Sequence, residues 1–221
     1  MPRYNGACIP MLTYQQSYTT ILSLLHNSAG DADHFLLALK GAHLPNLSFS
    51  KISTVEFCQH RYFLQHIQHL QPDPLPDYFI KGKLMHRIIA DSYLQLLQHK
   101  PIQVQTYLEL IANEYNGGWQ MHLFNAAQVH LQNLWQDVEV IGIEEPFVIL
   151  LSQDLPPVVG IIDLILRHKD QYFVIDHKTG RDFYPQDELQ MAIYRQYIHH
   201  QYGGSECKCF YDNYRLSLIH I

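Results

Sequence analysis

Hydrophobic residues recur at helical spacing along the first 138 residues, and the pattern then changes to the shorter period of β-strands. Helices are predicted at residues 14–26, 32–39, 50–67, 83–99, 104–115, 119–137 and 185–200. Strands are predicted at residues 140–151, 158–167, 172–178 and 208–218. Ser50 is a suitable N-cap for the third helix, and a proline-rich loop follows that helix. This order of elements predicts an α/β or α+β domain.

Composition narrows the class of protein. A chain of 221 residues, 47% of them hydrophobic, is long enough for one sizeable core. Its four cysteines are too few and too unevenly spaced for a secreted disulfide framework, which favours a reducing compartment. The apolar runs are short or interrupted by Asp163, so none is long enough to span a bilayer. We therefore expect a cytoplasmic protein with no membrane partner.

The formal net charge of -6 differs from the basic footprint of most nucleic-acid-binding proteins. Clustered carboxylates that hold metal ions would also lower the formal charge, and the bound ion then restores a positive potential locally. Most of the fifteen histidines have no cysteine or carboxylate at ligand spacing, which favours solvated positions for them. The charge therefore does not exclude a nucleic-acid substrate.

The segment VIDHKTGR begins as a buried strand and ends in Asp176 and Lys178 on either side of a histidine. A polar connection at residues 168–171 predicts an antiparallel hairpin whose register places Asp163 opposite Asp176. Lys178 shares their face because side chains alternate along a strand. Two opposed carboxylates need a positive group between them, and their oxygens suit magnesium or manganese. A salt bridge between Asp163 and Lys178, with Asp176 capping a turn, explains the spacing equally well.

Further motifs accompany this hairpin in a consistent order. VVGIIDLI, VIDHKTGR and ELQMAIYRQY are similar to the core motifs of the PD-(D/E)XK nuclease superfamily. The likeness is strongest to its RecB-like branch, which includes nuclease domains of recombination helicases and CRISPR-associated exonucleases. SFSKISTVEFCQHRYF resembles the N-terminal helix of that branch, and GKLMHRII resembles its glycine-to-histidine helix motif. The resemblance implies a restriction-endonuclease-like core with a central mixed β-sheet flanked by helices.

The resemblance also implies a metal centre that binds Mg²⁺ or Mn²⁺. Asp163 and Asp176 would be carboxylate ligands, and the backbone carbonyl of His177 would complete that part of the site. The His177 side chain would point to the other face of its strand. His86, within GKLMH, would add an imidazole ligand from a helix. The ion would act as a Lewis acid and lower the pKa of a bound water.

Three further positions match family motifs. Lys178 would orient or activate the attacking water and neutralise charge that develops on the phosphate. Gln190 and Tyr194, four residues apart on one helix face, would contact the lysine or the nucleic-acid backbone. Packing is the alternative for Gln190 and Tyr194, because both residue types are common on amphipathic helices.

The sequence departs from the family pattern in three places. Ile162 stands where the superfamily's proline precedes the first aspartate. Glu144 and Glu145 fall where relatives often carry an acidic residue, and we expect them at a solvated strand start. Cys58 occupies the first cysteine position of iron–sulfur members of the branch, but the other three cysteines are not found. Because an ordinary cluster needs four thiolates, we predict no iron–sulfur cluster and a buried packing thiol at Cys58. An iron–sulfur member of the CRISPR adaptation machinery is the alternative.

The sequence gives less information on which residues would contact a nucleic-acid strand. Tyr62 and Phe63 could stack on bases, but we expect them in the core. Dispersed surface charge is the alternative for the basic residues that could line a phosphate-binding groove, which are Arg61, Lys81, Lys83, Arg87, Lys178 and Arg181.

Together these residues and the resemblance predict a metal-dependent deoxyribonuclease, acting as an exonuclease or on ends or single strands. Its role would be in DNA repair, recombination or CRISPR-type processing, with DNA and the proteins of such a complex as partners. A catalytically inactive binding or structural module of the same fold is the alternative. We divide the chain into an N-terminal helical extension, residues 1–46, and a nuclease domain, residues 47–221.

Overall fold

A computed structural model describes residues 12–70, 73–74, 76–116, 118, 120–135, 137–178, 186–203 and 206–213. Its helices are α1 (Tyr14–Asn27), α2 (Ala32–Ala42), α3 (Phe49–Phe57), α4 (Gln59–Tyr62), α5 (Asp77–Leu97), α6 (Val104–Glu114), α7 (Gln120–Gln132) and α8 (Gln186–Tyr202). A π-helical turn, Phe63–Ile67, follows α4. The strands are β1 (Glu139–Ile149), β2 (Val158–His168), β3 (Gln171–Lys178) and β4 (Cys207–Asn213). The predicted α/β fold is confirmed. None of the described helices combines the length and the apolar character needed to cross a membrane.

Side-chain capping accounts for the start of α1. The Gln16 backbone N–H donates to the Thr13 hydroxyl, and the Thr13 N–H donates to the Gln16 side chain, which together form a capping box. The prediction that Ser50 caps the third helix is wrong. α3 begins at Phe49, one residue earlier, so Ser50 lies inside the first helical turn and not at the non-helical position that a cap requires.

The helix expected to run to residue 67 is interrupted at Cys58. This residue has extended backbone angles, φ -164° and ψ 112°, between α3 and α4. Its thiol is half-buried, so the expectation of a buried packing thiol is wrong. Phe63 is 45% exposed and Tyr62 is half-buried, so the expectation that both lie in the core is wrong.

The four strands form one sheet in the order β1-β2-β3-β4. β2 and β3 are antiparallel, and the pair of His168 and Gln171 closes the predicted hairpin. The same register, continued one residue toward the open end of the hairpin, puts Asp163 opposite Asp176. β3 and β4 are parallel, with α8 between them in the sequence. The sheet is therefore mixed, as predicted.

The chain divides into two compact units, and the larger one comprises Phe49–Glu145 and Ile161–Ile221. Its core forms where α5, α6 and α7 pack against residues of β2 and β3. Side chains that are fully buried there include Met85, Ile88, Ile111, Ala127, Leu164, Leu166 and Ile175. This packing fixes α5 against the β2–β3 hairpin.

The smaller unit comprises Met1–Ser48 and Pro146–Gly160. It has a hydrophobic cluster of its own, formed by Ile21, Phe35, Leu39, Val148 and Val159. Strand residues therefore share this unit with α1 and α2. A separate helical domain at residues 1–46 stays a prediction.

Gly160 is a position where we expect substitution to destabilise the fold. A Cβ at Gly160 would lie 2.6 Å from Cε1 and 2.7 Å from Cζ of the Phe147 ring, which is only 1% exposed. Gly160→Ala should lower the free energy of unfolding by about 1–3 kcal/mol, measured by urea denaturation, because the buried ring has little room to move. Gly41→Ala is the control, since a Cβ at Gly41 in α2 meets nothing within 4 Å. Equal stability of the two variants would contradict the prediction.

Glu144 and Glu145 lie in the middle of β1, so the expectation of a solvated strand start is wrong. Both side chains are half-buried. Glu144 has a φ of 47°, a left-handed conformation that interrupts the strand alternation. Glu145 Oε1 lies 3.5 Å from the Tyr197 hydroxyl, and burial raises the pKa of Glu145. A local kink of this kind leaves no sign in the hydrophobic pattern.

Candidate functional site

The open end of the β2–β3 hairpin brings the first site residues together. Asp163 lies on β2, and Asp176 and His177 lie on β3, each after apolar residues that are buried in the sheet. Asp163 Oδ2 accepts a hydrogen bond of 2.7 Å from the backbone N–H of His177. The strand backbone thus fixes the direction of the Asp163 carboxylate, whose side chain is 15% exposed.

α5 contributes His86, because Leu84 and Ile88 bury that part of the helix. Nε2 of His86 lies 2.9 Å from the carbonyl oxygen of His177, so it donates as an N–H there. Nδ1 of His86 lies 3.5 Å from Oδ1 of Asp163. Burial opposes protonation, but the hydrogen bond to Asp163 and its charge outweigh burial and raise the pKa of His86. The imidazole therefore bridges a carboxylate and a backbone carbonyl.

The pKa values of the two hairpin carboxylates are shifted in opposite directions. Burial acts against ionisation of Asp163, but its hydrogen bond and ion pair with His86 keep the pKa of Asp163 below its usual value. Burial and the negative charge of Asp163 raise the pKa of Asp176, although the ammonium of Lys178 acts in the other direction. Such a difference is expected when two carboxylates share one site.

Both oxygens of Asp176 have partners in the structure. Oδ1 accepts from Gln190 Nε2 at 2.8 Å and lies 3.2 Å from the Tyr194 hydroxyl. The same hydroxyl lies 3.1 Å from the carbonyl oxygen of Ile161. Oδ2 lies 2.8 Å from Nζ of Lys178. α8 therefore places Gln190 and Tyr194 on the face that meets the hairpin, where they hold a carboxylate that is only 5% exposed.

Lys178 is surrounded by groups that orient its ammonium. Nζ donates to Oε1 of Gln190 at 2.9 Å. It also lies 5.3 Å from the ring centroid of Tyr211 and 6.0 Å from that of Phe49, within the range of cation–π attraction. The alternative salt bridge between Asp163 and Lys178 is wrong, since the lysine pairs with Asp176. Asp176 lies within β3 and does not cap a turn.

Tyr211 and Phe49 are neighbours of Lys178 that the sequence did not predict. Strand alternation from Cys207 and Cys209 would have placed Tyr211 on their face. The parallel pairing of β4 with β3 then sets it beside Asp176. No comparable signal existed for Phe49, which reaches the lysine from the start of α3.

The side chain of His177 does not take part in this arrangement. Its ring is buried and lies 6.2 Å from the rings of both His86 and His130. Burial lowers the pKa of His177 to about 3, and its Nδ1 lies 3.7 Å from an oxygen of Asp212. Only the backbone of His177 contacts Asp163 and His86 through hydrogen bonds, which agrees with the predicted orientation.

The donor atoms at this end of the hairpin suit a divalent cation by type. Two carboxylates, a backbone carbonyl and one imidazole form an oxygen-rich set of the kind that Mg²⁺ and Mn²⁺ accept. Within the described ranges, however, no group of three or more His, Cys, Asp or Glu side chains is arranged to hold a metal ion. His86 is bonded to the His177 carbonyl, and Asp176 is bonded to Gln190 and Lys178. The roles that stay predictions are those of His86, Asp163, Asp176, His177, Lys178, Gln190 and Tyr194.

Comparison with known proteins agrees with this geometry. The family model of the PD-(D/E)XK nuclease superfamily matches residues 46–217. The RecBCD enzyme subunit RecB of Chlamydia trachomatis serovar D is 28% identical over 180 residues, which cover 72% of this chain. The chain spans only 17% of the length of that subunit. Because the family match extends over most of the sequence and includes the hairpin, α5 and α8, the chain, which is similar to RecB, belongs to the PD-(D/E)XK nuclease superfamily.

Proposed function

We propose that this protein is a metal-dependent deoxyribonuclease that uses Mg²⁺ or Mn²⁺. The observation that carries the proposal is the meeting of Asp163, Asp176 and Lys178 at the open end of the hairpin. Opposed carboxylates weaken a sheet, so a purely structural module would gain nothing from them. Members of the superfamily are usually nucleases and typically use divalent metal ions, which also supports the proposal.

The ion would be held by Asp163, Asp176, the imidazole of His86 and the carbonyl oxygen of His177. When bound, it would supply a Lewis acid that polarises the phosphate and lowers the pKa of a water. The contacts of His86 with both Asp163 and the His177 carbonyl support this ligand set, because they bring three of the four donors together without the ion.

The other site residues would position the reacting groups. Lys178 would orient the attacking water and stabilise negative charge on the phosphate, since its ammonium is a compact, strongly charged donor. Gln190 bonds both Lys178 and Asp176, so it would hold the ammonium and the carboxylate at a constant separation. Tyr194 would act through the same carboxylate oxygen.

We infer that the substrate is DNA and that the protein acts on DNA ends or on single strands. The exposed Phe63 and the neighbouring exposed Arg61 support contact with unpaired bases and phosphate. Other predicted groove residues give less support, because Lys81 is buried and Arg87 is ion-paired at 2.9 Å with a glutamate of α6. Arg181 lies outside the described residues.

The pathway is also a proposal. The RecB relative is a subunit of an enzyme with several subunits, as its name states. By analogy, we propose that this chain acts in DNA repair, recombination or CRISPR-type processing together with protein partners.

Cleavage of end-labelled DNA tests the proposed function. Linear single strands, blunt duplex and covalently closed circles would each be incubated with Mg²⁺, Mn²⁺ or EDTA, and matched RNA would be included. We expect progressive shortening of linear DNA with either ion, no reaction in EDTA, and intact duplex circles. Cleavage that continues in EDTA would contradict the metal dependence. If no nucleic acid is cut under any condition, a binding module of the same fold becomes the better interpretation.

A further inference from the structure

Two cysteines of β4 lie side by side outside the proposed metal site. Cys207 and Cys209 are separated by one residue and point to the same face of the strand. Their Sγ atoms are 3.8 Å apart, and Sγ of Cys209 also lies 3.8 Å from the carbonyl oxygen of Met191 in α8. Both side chains are half-buried. The geometry therefore presents a pair of thiols, each within reach of the other.

The two thiols are not equivalent chemically. The hydrogen bond between the two sulfurs lowers the pKa of Cys209 against the effect of burial, and together with burial it raises the pKa of Cys207. The positive charge of Arg195 acts to lower the pKa of both thiols. Because the thiolate is the reactive form, these directions favour Cys209 as the attacking thiol and Cys207 as the thiol that resolves the mixed disulfide.

The geometry of a β-strand determines how strained a disulfide between these two sulfurs would be. Two residues of an extended strand span roughly 6.4–6.8 Å between Cα atoms, which is at the upper end of the range for disulfides. A link between Cys207 and Cys209 would have to deepen the pleat of β4. β4 lies at the edge of the four-stranded sheet, with β3 as its neighbour, so its backbone can adjust. A disulfide formed in this way is strained and thus readily reduced, as labile and regulatory disulfides are.

We propose that Cys207 and Cys209 form a redox-active dithiol that low-molecular-weight disulfides, such as glutathione disulfide, oxidise reversibly. The Cys209 thiolate attacks one sulfur of glutathione disulfide, the disulfide bond breaks, and one glutathione leaves as a thiolate. Cys207 then gives up its proton to that thiolate and attacks the Cys209 sulfur, which expels the second glutathione. From the thiolate–thiol pair the protein loses two electrons and the one proton of Cys207, and one glutathione disulfide becomes one glutathione thiol and one glutathione thiolate, which takes a proton from solvent. This proposal does not depend on nuclease activity.

Mass spectrometry of the folded full-length chain tests the proposal. The protein is equilibrated in buffers of increasing ratio of glutathione disulfide to glutathione, quenched with acid, alkylated and digested. We expect the peptide with Cys207 and Cys209 to become lighter by two hydrogen atoms and to resist alkylation, and dithiothreitol to reverse the change. Alkylation of both cysteines at every ratio, or glutathione adducts without an internal link, would overturn the proposal.

Single substitutions separate the two chemical steps. In Cys207→Ser the second step is blocked, so Cys209 should accumulate as a mixed disulfide heavier by one glutathione. Cys58→Ser is the matched control, because Cys58 is half-buried between α3 and α4 and is not part of the pair. It should leave the internal link unchanged. A link that disappears in Cys58→Ser would show a different pairing and overturn the proposal.

Discussion

Replacing Lys178 with alanine is expected to slow DNA cleavage by about 10²–10⁴-fold, the usual effect of removing a group that assists proton transfer or stabilises charge. The ammonium is half-buried and held by Asp176, Gln190 and two aromatic rings, so its loss removes a positive charge that these groups position. Single-turnover rates on end-labelled DNA with saturating Mn²⁺ would measure the loss, since saturation separates chemistry from metal binding.

Two further variants distinguish a catalytic role of Lys178 from a structural one. Lys178→Arg retains the positive charge near Asp176 but presents a planar guanidinium, so it should preserve the thermal midpoint while most of the activity is lost. Lys169→Ala removes an exposed lysine from the turn of the same hairpin and should change the rate by no more than about twofold. Full activity in Lys178→Ala would contradict the proposed mechanism.

The hairpin shows what can be predicted from sequence alone. Alternation fixes which side chains share a face, and the polar turn at His168 to Gln171 fixes the register. These two local rules suffice to set Asp163 opposite Asp176 and Lys178 beside them. The helical spacing of Gln190 and Tyr194 likewise predicts that they lie together. That this helix face meets the hairpin was predicted only by the resemblance to a family, because periodicity does not identify what a helix packs against.

Contacts between distant segments could not be predicted in the same way. Two carboxylates, Asp163 and Asp176, share a face with Lys178. The conformation of the lysine side chain, which the sequence does not show, determines that it pairs with Asp176. Phe49 and Lys178 are far apart in the sequence, so no local rule brings the ring to the lysine. The break at Cys58 interrupts a stretch that helical spacing alone predicts as continuous.

The arrangement of charges also suggests why the proposed site differs from an ordinary buried ion pair. Asp163 lies beside His86, whereas Asp176 lies beside Lys178. Each carboxylate thus has its own basic neighbour, and both pairs lie at one end of the sheet. Burying such pairs contributes little to stability, because desolvation offsets much of the attraction. Folding alone therefore gives little reason to place both pairs together, which supports the proposed binding of an ion and a phosphate there.

Asp163→Asn is expected to reduce cleavage by about 10³-fold or more while the fold remains intact. A metal that acts as a Lewis acid lowers the activation barrier by several kcal/mol, and each 1.36 kcal/mol corresponds to about tenfold in rate. The amide oxygen can still accept the 2.7 Å hydrogen bond from the His177 N–H, so the strand ends stay joined. Loss of the charge removes the repulsion with Asp176 but also the attraction to His86, and because these effects oppose each other the free energy of unfolding should change less than in Asp163→Ala.

The matched variant Asp163→Ala should lose activity to the same extent and also lose stability. It leaves the His177 N–H without its carboxylate acceptor, which costs about 1–3 kcal/mol when the group is buried. Asp170→Asn, at an exposed position in the hairpin turn, controls for the general effect of removing a carboxylate. Isothermal titration with Mn²⁺ should then show weaker binding for both Asp163 variants and unchanged binding for Asp170→Asn. If Asp163→Asn binds Mn²⁺ and cleaves DNA as the wild type does, Asp163 is not a metal ligand, and the opposed carboxylates need another explanation.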